Sequence, residues 1–114
     1  GSTLFLQNPI SKKWFIHNPM LIQHRKLNNK GLFFVEADGN MLAELVYSMA
    51  GADKMIIEHT EVSDELKGQN AGYQLVHAAV EYARTHHIKI VPLCPFANAV
   101  FKKKKEYEDV LFTH

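Results

Sequence analysis

Residues 66–96 read LKGQNAGYQLVHAAVEYARTHHIKIVPLCPF, and this stretch decides the fold. A short loop with two glycines, residues 67–72, comes first. From residue 71, apolar or small side chains recur at positions 71, 75, 78, 79, 82 and 83, and that period predicts a helix with one buried face. Residues 88–93 follow with few polar side chains, which predicts a strand buried on both faces.

The run before the loop, residues 54–62, is rich in apolar and β-branched residues and predicts another strand. Strand, loop, helix and strand together make a βαβ unit. We expect strands 54–62 and 88–93 to lie parallel and adjacent, joined by a right-handed crossover. Pro95 comes directly after this unit and suits the first turn of a further short helix.

The first half of the chain has a different pattern. Strand-like runs at 21–25, 32–36 and 41–49 are separated by turn sequences, and Asp38-Gly39 between two such runs is typical of a tight hairpin. These runs predict an antiparallel meander. The predicted fold class is therefore α/β, with a mixed sheet: an antiparallel meander followed by the βαβ unit and a short C-terminal helix.

The composition bounds the possible functions. A chain of 114 residues with 46% hydrophobic residues makes one domain, assigned to residues 21–114. Thirteen basic and twelve acidic residues give a net charge of +1, which indicates no polyanionic partner. One cysteine excludes an internal disulfide and favours a cytoplasmic location. No apolar run approaches the roughly 18 residues of a membrane span, and no signal peptide is recognisable.

The N-terminal residues carry less information. Gly1-Ser2 is typical of a tag remnant, and residues 1–20 as a whole predict an N-terminal arm because Pro9 and Pro19 interrupt any long element. The apolar group Trp14-Phe15-Ile16 either packs on the domain or binds a partner. Packing is the favoured alternative.

The loop is the first candidate site. The first N–H groups of a helix lack intrahelical partners and attract anions. Gly68 and Gly72 would let a phosphate approach the backbone, Asn70 tolerates left-handed geometry, and Lys67 adds a positive charge. The alternative is an ordinary turn between a strand and a helix.

Cys94 is the second candidate because it stands at a strand end and at a helix start, where a thiolate is stabilised. Buried structural thiols are nevertheless common. His59 and Glu58 lie on the preceding strand, and we expect His59 to reach the layer of Cys94, where it would activate the thiol. The alternative for His59 is an ordinary core or surface histidine.

Two further patterns in the sequence bear on possible sites. Lys102 to Lys105 form a basic run that is either solvated surface or a contact for a cofactor phosphate, and it is too narrow to predict nucleic-acid binding. The seven histidines show no spacing with a second class of metal ligand, so no metal is predicted.

Four motifs occur in the same order as in a known family. They are His59-Thr60, the loop 67–72, the segment 92–96 (Pro-Leu-Cys-Pro-Phe) and the segment 106–111 (Glu-Tyr-Glu-Asp-Val-Leu). Over residues 21–111 the chain resembles the GNAT superfamily of acetyl-CoA-dependent acetyltransferases, and more narrowly its small, single-domain YjdJ-type subfamily. The resemblance implies a GNAT-like sheet and acetyl-CoA or CoA as the cofactor.

The resemblance also implies roles for particular residues. The loop would bind the CoA pyrophosphate, the strand ends at 60–62 and 92–94 would part to admit the pantetheine arm, and Cys94 would lie at the thioester. The implied cofactor-binding residues are Thr60, Val62, Lys67, Gly68, Gln69, Asn70, Ala71, Gly72, Pro92, Asn98, Phe101 and Lys102. Lys67 stands where the subfamily usually has Arg or Gln, and Asn70 where it has Gly, which favours weaker CoA binding.

The leading hypothesis is therefore an N-acetyltransferase that moves an acetyl group to an amine, with a peptide or protein lysine as one candidate acceptor. Either the amine attacks the thioester directly, with His59 or Glu58 through a water as the base, or Cys94 is acetylated first. The alternative is a CoA-binding or protein-interaction module with little catalysis. We expect a monomer or weak dimer, with neither nucleic acid nor membrane as a partner.

Overall fold

The computed structural model describes residues 21–113. The predictions for the N-terminal arm and for Gly1-Ser2 lie outside the described residues. Five strands form one sheet in the order β1 to β5: β1 Gln23–Leu27, β2 Lys30–Ala37, β3 Asn40–Met49, β4 Lys54–Val62 and β5 Lys89–Pro92. There are two α-helices, α1 Ala71–His86 and α2 Pro95–Lys103. A 3-10 helix, Asp64–Leu66, precedes α1, and another, Lys105–Val110, follows α2. Within residues 21–113, no helix has the length and apolar character needed to cross a bilayer.

The first four strands form the predicted antiparallel meander. Asp38 and Gly39 have φ values of 52° and 79° between β2 and β3. Two consecutive positive φ angles are typical of a tight turn whose twist matches that of the flanking strands. The hairpin predicted from Asp38-Gly39 is confirmed, and the mixed α/β fold class is confirmed with it.

The βαβ unit is also as predicted. β4 and β5 are parallel, with a register that runs from Lys54 opposite Lys89 to Ile57 opposite Pro92. Beyond that point the backbone N–H groups of Leu93 and Cys94 both donate to the Ile57 carbonyl, at 3.1 and 3.0 Å, and the chain turns into α2. Among the described residues, β4 therefore continues from residue 58 to 62 without a strand beside it on this side, and the two strand ends part at Ile57.

The prediction that residues 88–93 are buried on both faces is wrong. β5 has four residues, of which Ile90 is buried, Lys89 is exposed, and Val91 and Pro92 are half-buried. The strand lies at the end of the sheet, and its outer side makes a single parallel bridge to Leu111. An apolar run is typical of a central strand, but it also suits a strand at the end of a sheet when a C-terminal segment covers that strand.

A bulge near the middle of β4 changes which way its side chains point. Tyr47 of β3 pairs with Ile57, and the next residue back, Val46, pairs with His59, so Glu58 is the extra residue. Because of this insertion, Glu58 and His59 both leave the helix-facing side of the sheet, and Thr60 returns to it opposite the buried Leu45. A bulge re-aims side chains in this way without breaking the strand.

One face of the sheet packs against both helices to form the core. α1 contributes a stripe at helical spacing: Ala71, Leu75, Val76, Ala79, Val80 and Ala83. The helix ends at His87, which is left-handed and donates its backbone N–H to the Ala83 carbonyl. Tyr107 and Val110 are buried and cover the C-terminal side.

His24 of β1 lies over this core at the edge of the sheet. Its ring stacks on Phe33 with centroids 4.1 Å apart, and its Nε2 lies 2.6 Å from the Tyr47 hydroxyl. Burial, followed by the charges of Lys26 and His86, lowers the pKa of His24 below its ordinary value. The same burial raises the pKa of Tyr47 to about 12, so this pair is neutral at physiological pH.

Lowering the pH from 7.5 to 5.5 is expected to reduce the free energy of unfolding through His24. Because its pKa is lower in the folded than in the unfolded state, the stabilisation is complete above the unfolded value of about 6.5 and is lost as the pH falls below it. Urea unfolding of the wild type and of His24→Gln at both pH values measures this. An equal loss in both proteins would show that His24 is not the group responsible.

Candidate active site

The loop before α1 has the backbone geometry of an anion site. Asn70, at the N-cap, is left-handed (φ 59°, ψ 29°), and its side chain makes no capping hydrogen bond. Its carbonyl accepts the first bond of the helix, from the Gln74 N–H at 2.9 Å. Gly68 has a φ of +86°, and nothing lies within 4 Å of the place a Cβ would take. The first N–H groups of α1, with the helix dipole behind them, therefore face an uncapped approach that suits a phosphate.

Lys67 brings a positive charge to this loop, as predicted, but its ammonium group forms an ion pair with a neighbouring carboxylate. Its Nζ lies 3.0 Å from Asp64 Oδ1, and both side chains are largely exposed. A solvated pair of this kind contributes about 0–1 kcal/mol, so Lys67 can exchange Asp64 for another anion at little cost.

Gly72 has a different role from the one predicted. It is buried, and a Cβ built on it would lie 2.7 Å from Cζ of Phe96. Its small size therefore allows the start of α1 to pack against α2 and does not serve the approach of a phosphate. Ala71 beside it is also buried, at 2% exposure, so both can offer a ligand only their backbone.

The region next to the loop differs in part from the sequence prediction. Phe101 is 3% exposed and packs against Tyr107, so helical phase places it in the core and away from a ligand. Asn98 and Lys102 are exposed on α2. The residues gathered at the start of α1 are instead those around Tyr73: Phe96 edge-on at 5.6 Å, and the ammonium groups of Lys103 and Lys104, each 5.9 Å from the Tyr73 ring. Tyr73 follows the loop directly, and this position is the only feature of the sequence that points to Tyr73 as a site residue.

The thiol of Cys94 lies where β4 and β5 part. Cys94 is the N-cap of α2, and its Sγ accepts a hydrogen bond from the Ala97 N–H at 3.5 Å. Across the opening, Sγ lies 3.3 Å from Oγ1 of Thr60. Cys94 is 5% exposed. Pro92, the last residue of β5, is two residues before Cys94.

The predicted pairing of His59 with Cys94 is not formed. The β4 bulge sends His59 to the outer face of the sheet, the face opposite the helices, and Thr60 takes the place beside the thiol. His59 Nε2 lies 3.2 Å from Glu61 Oε1 and 3.6 Å from Glu44 Oε2. Two carboxylates therefore lie beside the imidazole, one from each of two neighbouring strands.

Glu58 also faces away from the thiol and is held by other partners. Its carboxylate accepts hydrogen bonds from Lys30 Nζ at 2.9 Å and from Ser48 Oγ at 2.7 Å. These bonds lower the pKa of Glu58 below its ordinary value. A carboxylate held in its charged form in this way is a weak base, which removes the physical reason for placing Glu58 in the reaction.

A groove of about 340 Å³ opens at the ends of β3 and β4. It is lined by Met41, Leu42, Ala43, Glu44, Glu61, Val62 and Ser63. Glu44 and Ser63 were not predicted as site residues. Glu44 became a neighbour of Glu61 only through the register of β3 and β4, and the sequence does not specify the bulge that sets that register. The ligating atoms of Glu44, His59 and Glu61 lie within 4.8 Å of one another, and spacing along one strand could not reveal this cluster.

Comparison with known proteins identifies the family. A model of the GCN5-related N-acetyl-transferases matches residues 32–110. The chain belongs to this family. It is 36% identical to a GCN5-like N-acetyltransferase candidate from Staphylococcus aureus, with 81% of this chain and 89% of that chain covered and a TM-score of 0.63. No curated protein matches the chain in sequence.

More distant acetyltransferases share the fold alone. One is a GNAT-family structure from S. aureus at 20% identity and a TM-score of 0.51, covering 58% of this chain and 57% of that one. Another, from Elizabethkingia anophelis with acetyl-CoA bound, has 15% identity, 68% and 53% coverage, and a TM-score of 0.50. The resemblance to the GNAT superfamily is thus confirmed. The protein is an N-acetyltransferase by family, and its YjdJ-type placement stays a prediction.

Proposed function

We propose that the protein transfers the acetyl group of acetyl-CoA to an amine at the opening between β4 and β5. The observation that carries this proposal is the parting of the strands at Ile57, with the uncapped start of α1 on one flank and the Cys94 thiol on the other. An anion site and a narrow opening next to it fit a long ligand that has phosphates near one end and a thioester at the other.

The donor side is built from the helix-facing elements. The backbone of residues 67–72 binds the pyrophosphate. Tyr73 follows this loop directly, and the ammonium groups of Lys103 and Lys104 lie beside its ring. Thr60 and Cys94 flank the opening where the acetyl group would lie. Acetyl-CoA supplies an activated acyl group: the amine nitrogen bonds to the acetyl carbon while the carbon–sulfur bond breaks, with its electron pair leaving on sulfur.

His59 is the base that we place in the reaction. It lies on β4 next to Thr60, on the outer face, and Glu61 is in position to orient its imidazole and to stabilise the imidazolium that forms when it accepts a proton from the amine. Its separation from Cys94 leaves the thiol without a basic partner among the described residues. We therefore favour direct attack by the amine, with Cys94 and Thr60 as contacts for the thioester.

Calorimetry with CoA, together with turnover of acetyl-CoA against a panel of amines and lysine peptides, tests the function. We expect CoA binding and acetylation of at least one amine. CoA binding without turnover of any acceptor would favour the alternative, a CoA-binding or protein-interaction module. The residues that favour this alternative are Lys67 and Asn70, which stand where the YjdJ-type loop usually has Arg or Gln and Gly.

Cys94→Ser is expected to lose less than about tenfold in kcat, because serine is a good N-cap and keeps a hydroxyl beside Thr60. If Cys94 were a covalent nucleophile, its loss would lower kcat by several orders of magnitude. The second measurement is the intact mass of the wild type after incubation with acetyl-CoA, which should show no added acetyl group. An acetylated wild type together with an inactive Cys94→Ser variant would establish the covalent route instead.

A further inference from the structure

We propose that the N-terminal arm, residues 1–20, docks through Trp14-Phe15-Ile16 on an apolar patch of the outer face of the sheet. The patch consists of Leu32 and Phe34 of β2 and Val46 of β3, and we call it the outer patch. The docking is independent of the proposed function, because none of these side chains has a part in the reaction.

Phe34 is the residue that carries this proposal. It is 1% exposed, yet it belongs to the face opposite the helices. Its chain neighbours Phe33 and Val35 point into the core, and side chains alternate along a strand, so Phe34 points the other way. Its register partner Glu44 lies on the same outer face. The helices and 3-10 helices of residues 21–113 contribute side chains to the core on the opposite face, so none of them covers Phe34.

The described neighbours of Phe34 account for only part of its burial. Side chains stand roughly perpendicular to a sheet, so residues on adjacent strands shield the sides of the ring and leave its outer end open to water. The Arg25 guanidinium lies 4.9 Å from the ring centroid, but Arg25 is itself exposed. Burial of the whole residue therefore requires a further layer of atoms over the ring.

The outer patch extends from Phe34 across two strands. Leu32 and Val46 are register partners on the same face, and both are half-buried. Neither belongs to the core that packs against the helices. Contiguous apolar surface outside a core marks a place where another segment or another protein packs.

The N-terminal arm is the occupant because of where it joins the sheet and what it contains. It leads into β1, whose first residue, Gln23, is the register partner of Phe34. Four strands span roughly 15 Å, whereas the 20 residues of the arm can reach roughly 70 Å when extended. The arm therefore starts beside the outer patch and is long enough to cross it. Trp14-Phe15-Ile16 then supplies three consecutive large apolar side chains.

The charges of the two surfaces are complementary. The arm contains Lys12 and Lys13 and no acidic residue. Glu44, next to Phe34 on the outer face, has no lysine or arginine within ion-pair distance among residues 21–113. Opposite charges of this kind help to fix the register of two packed surfaces, so pairing of Glu44 with either lysine would orient the arm on the outer patch.

Docking would also bring the arm next to the candidate base. Val46 is the register partner of His59, so an arm on the outer patch borders the imidazole. The arm would then form one wall of the approach to His59 on the outer face. This consequence rests on the proposed function, whereas the docking does not.

The experiment uses Trp14, the only tryptophan of the chain, as its probe. Iodide quenching of its fluorescence is measured in the full chain for the wild type, Phe34→Asp and Leu27→Asp. We expect a quenching constant about threefold lower in the folded than in the urea-unfolded wild type, because a docked indole is buried. Phe34→Asp should raise it about threefold, since a carboxylate under the arm would lose its hydration.

Leu27→Asp is the matched control. Leu27 lies on the outer face of β1 but outside the outer patch, and it is 74% exposed. The same substitution there should leave the quenching of Trp14 at the wild-type value.

Equal quenching in the folded and unfolded wild type would overturn the inference, as would unchanged quenching in a folded Phe34→Asp variant. Circular dichroism shows whether that variant is folded. If it is not, nuclear Overhauser effects in the wild type decide: contacts between the Trp14 indole and the Phe34 ring or Val46 methyl groups support the docking, and their absence overturns it. Protection of Trp14 that disappears on dilution would place a second copy of the chain on the outer patch and would also overturn it.

Discussion

A His59→Ala variant is expected to lose about 100- to 10,000-fold in kcat, which is the range that a positioned general base contributes. CoA affinity should stay within about twofold of the wild type, because the imidazole lies on the outer face of the sheet and the cofactor loop on the other side of β4. Steady-state kinetics and calorimetry with CoA measure the two quantities independently.

Glu58→Gln is the matched control for this experiment. Glu58 is next to His59 in the chain and faces the same side, but Lys30 and Ser48 hold its carboxylate in the charged form. We expect a change in kcat of less than about threefold, because no proton transfer depends on it. If Glu58→Gln were as damaging as His59→Ala, or if His59→Ala kept full turnover, the assignment of the base would be wrong.

The pairing of the elements could be predicted from the sequence because it follows from period and order. When a helix connects two apolar strands, the two strands usually lie parallel and adjacent in one sheet. β4 and β5 form such a pair. The left-handed conformation of Asn70 can be predicted for a similar local reason, since asparagine adopts it more easily than most residues. Local chemistry and chain order suffice for such features.

The details of the site could not be predicted from the sequence, because they depend on one inserted residue in β4 and on helical phase. The β4 bulge exchanged the expected places of His59 and Thr60, and alternation alone gives no sign of where a bulge falls. The spacing of the loop glycines predicts that Gly72 faces a ligand, whereas Gly72 packs against Phe96. In the same way, Glu44 is remote from Glu61 in sequence and joins it only through the register of two strands.

The second large effect concerns the packing that supports the sheet. Gly31 of β2 lies opposite Tyr47 of β3, and a Cβ on Gly31 would overlap the Tyr47 ring. The ring cannot move aside easily, since it is 1% exposed and its hydroxyl is bonded to His24. Gly31→Ala is therefore expected to lower the free energy of unfolding by about 3 kcal/mol, the upper part of the usual range for overpacking.

Urea unfolding measures this effect, and two comparisons isolate its cause. Gly39→Ala tests the cost of a positive φ alone, since nothing lies near the place of its Cβ, and it should lose about 1 kcal/mol. In a Tyr47→Leu background the cost of Gly31→Ala should fall below about 1 kcal/mol, whereas in Tyr47→Phe, which keeps the ring, it should persist. An equal cost in both backgrounds would mean that backbone conformation, and not the Tyr47 ring, requires glycine at this position.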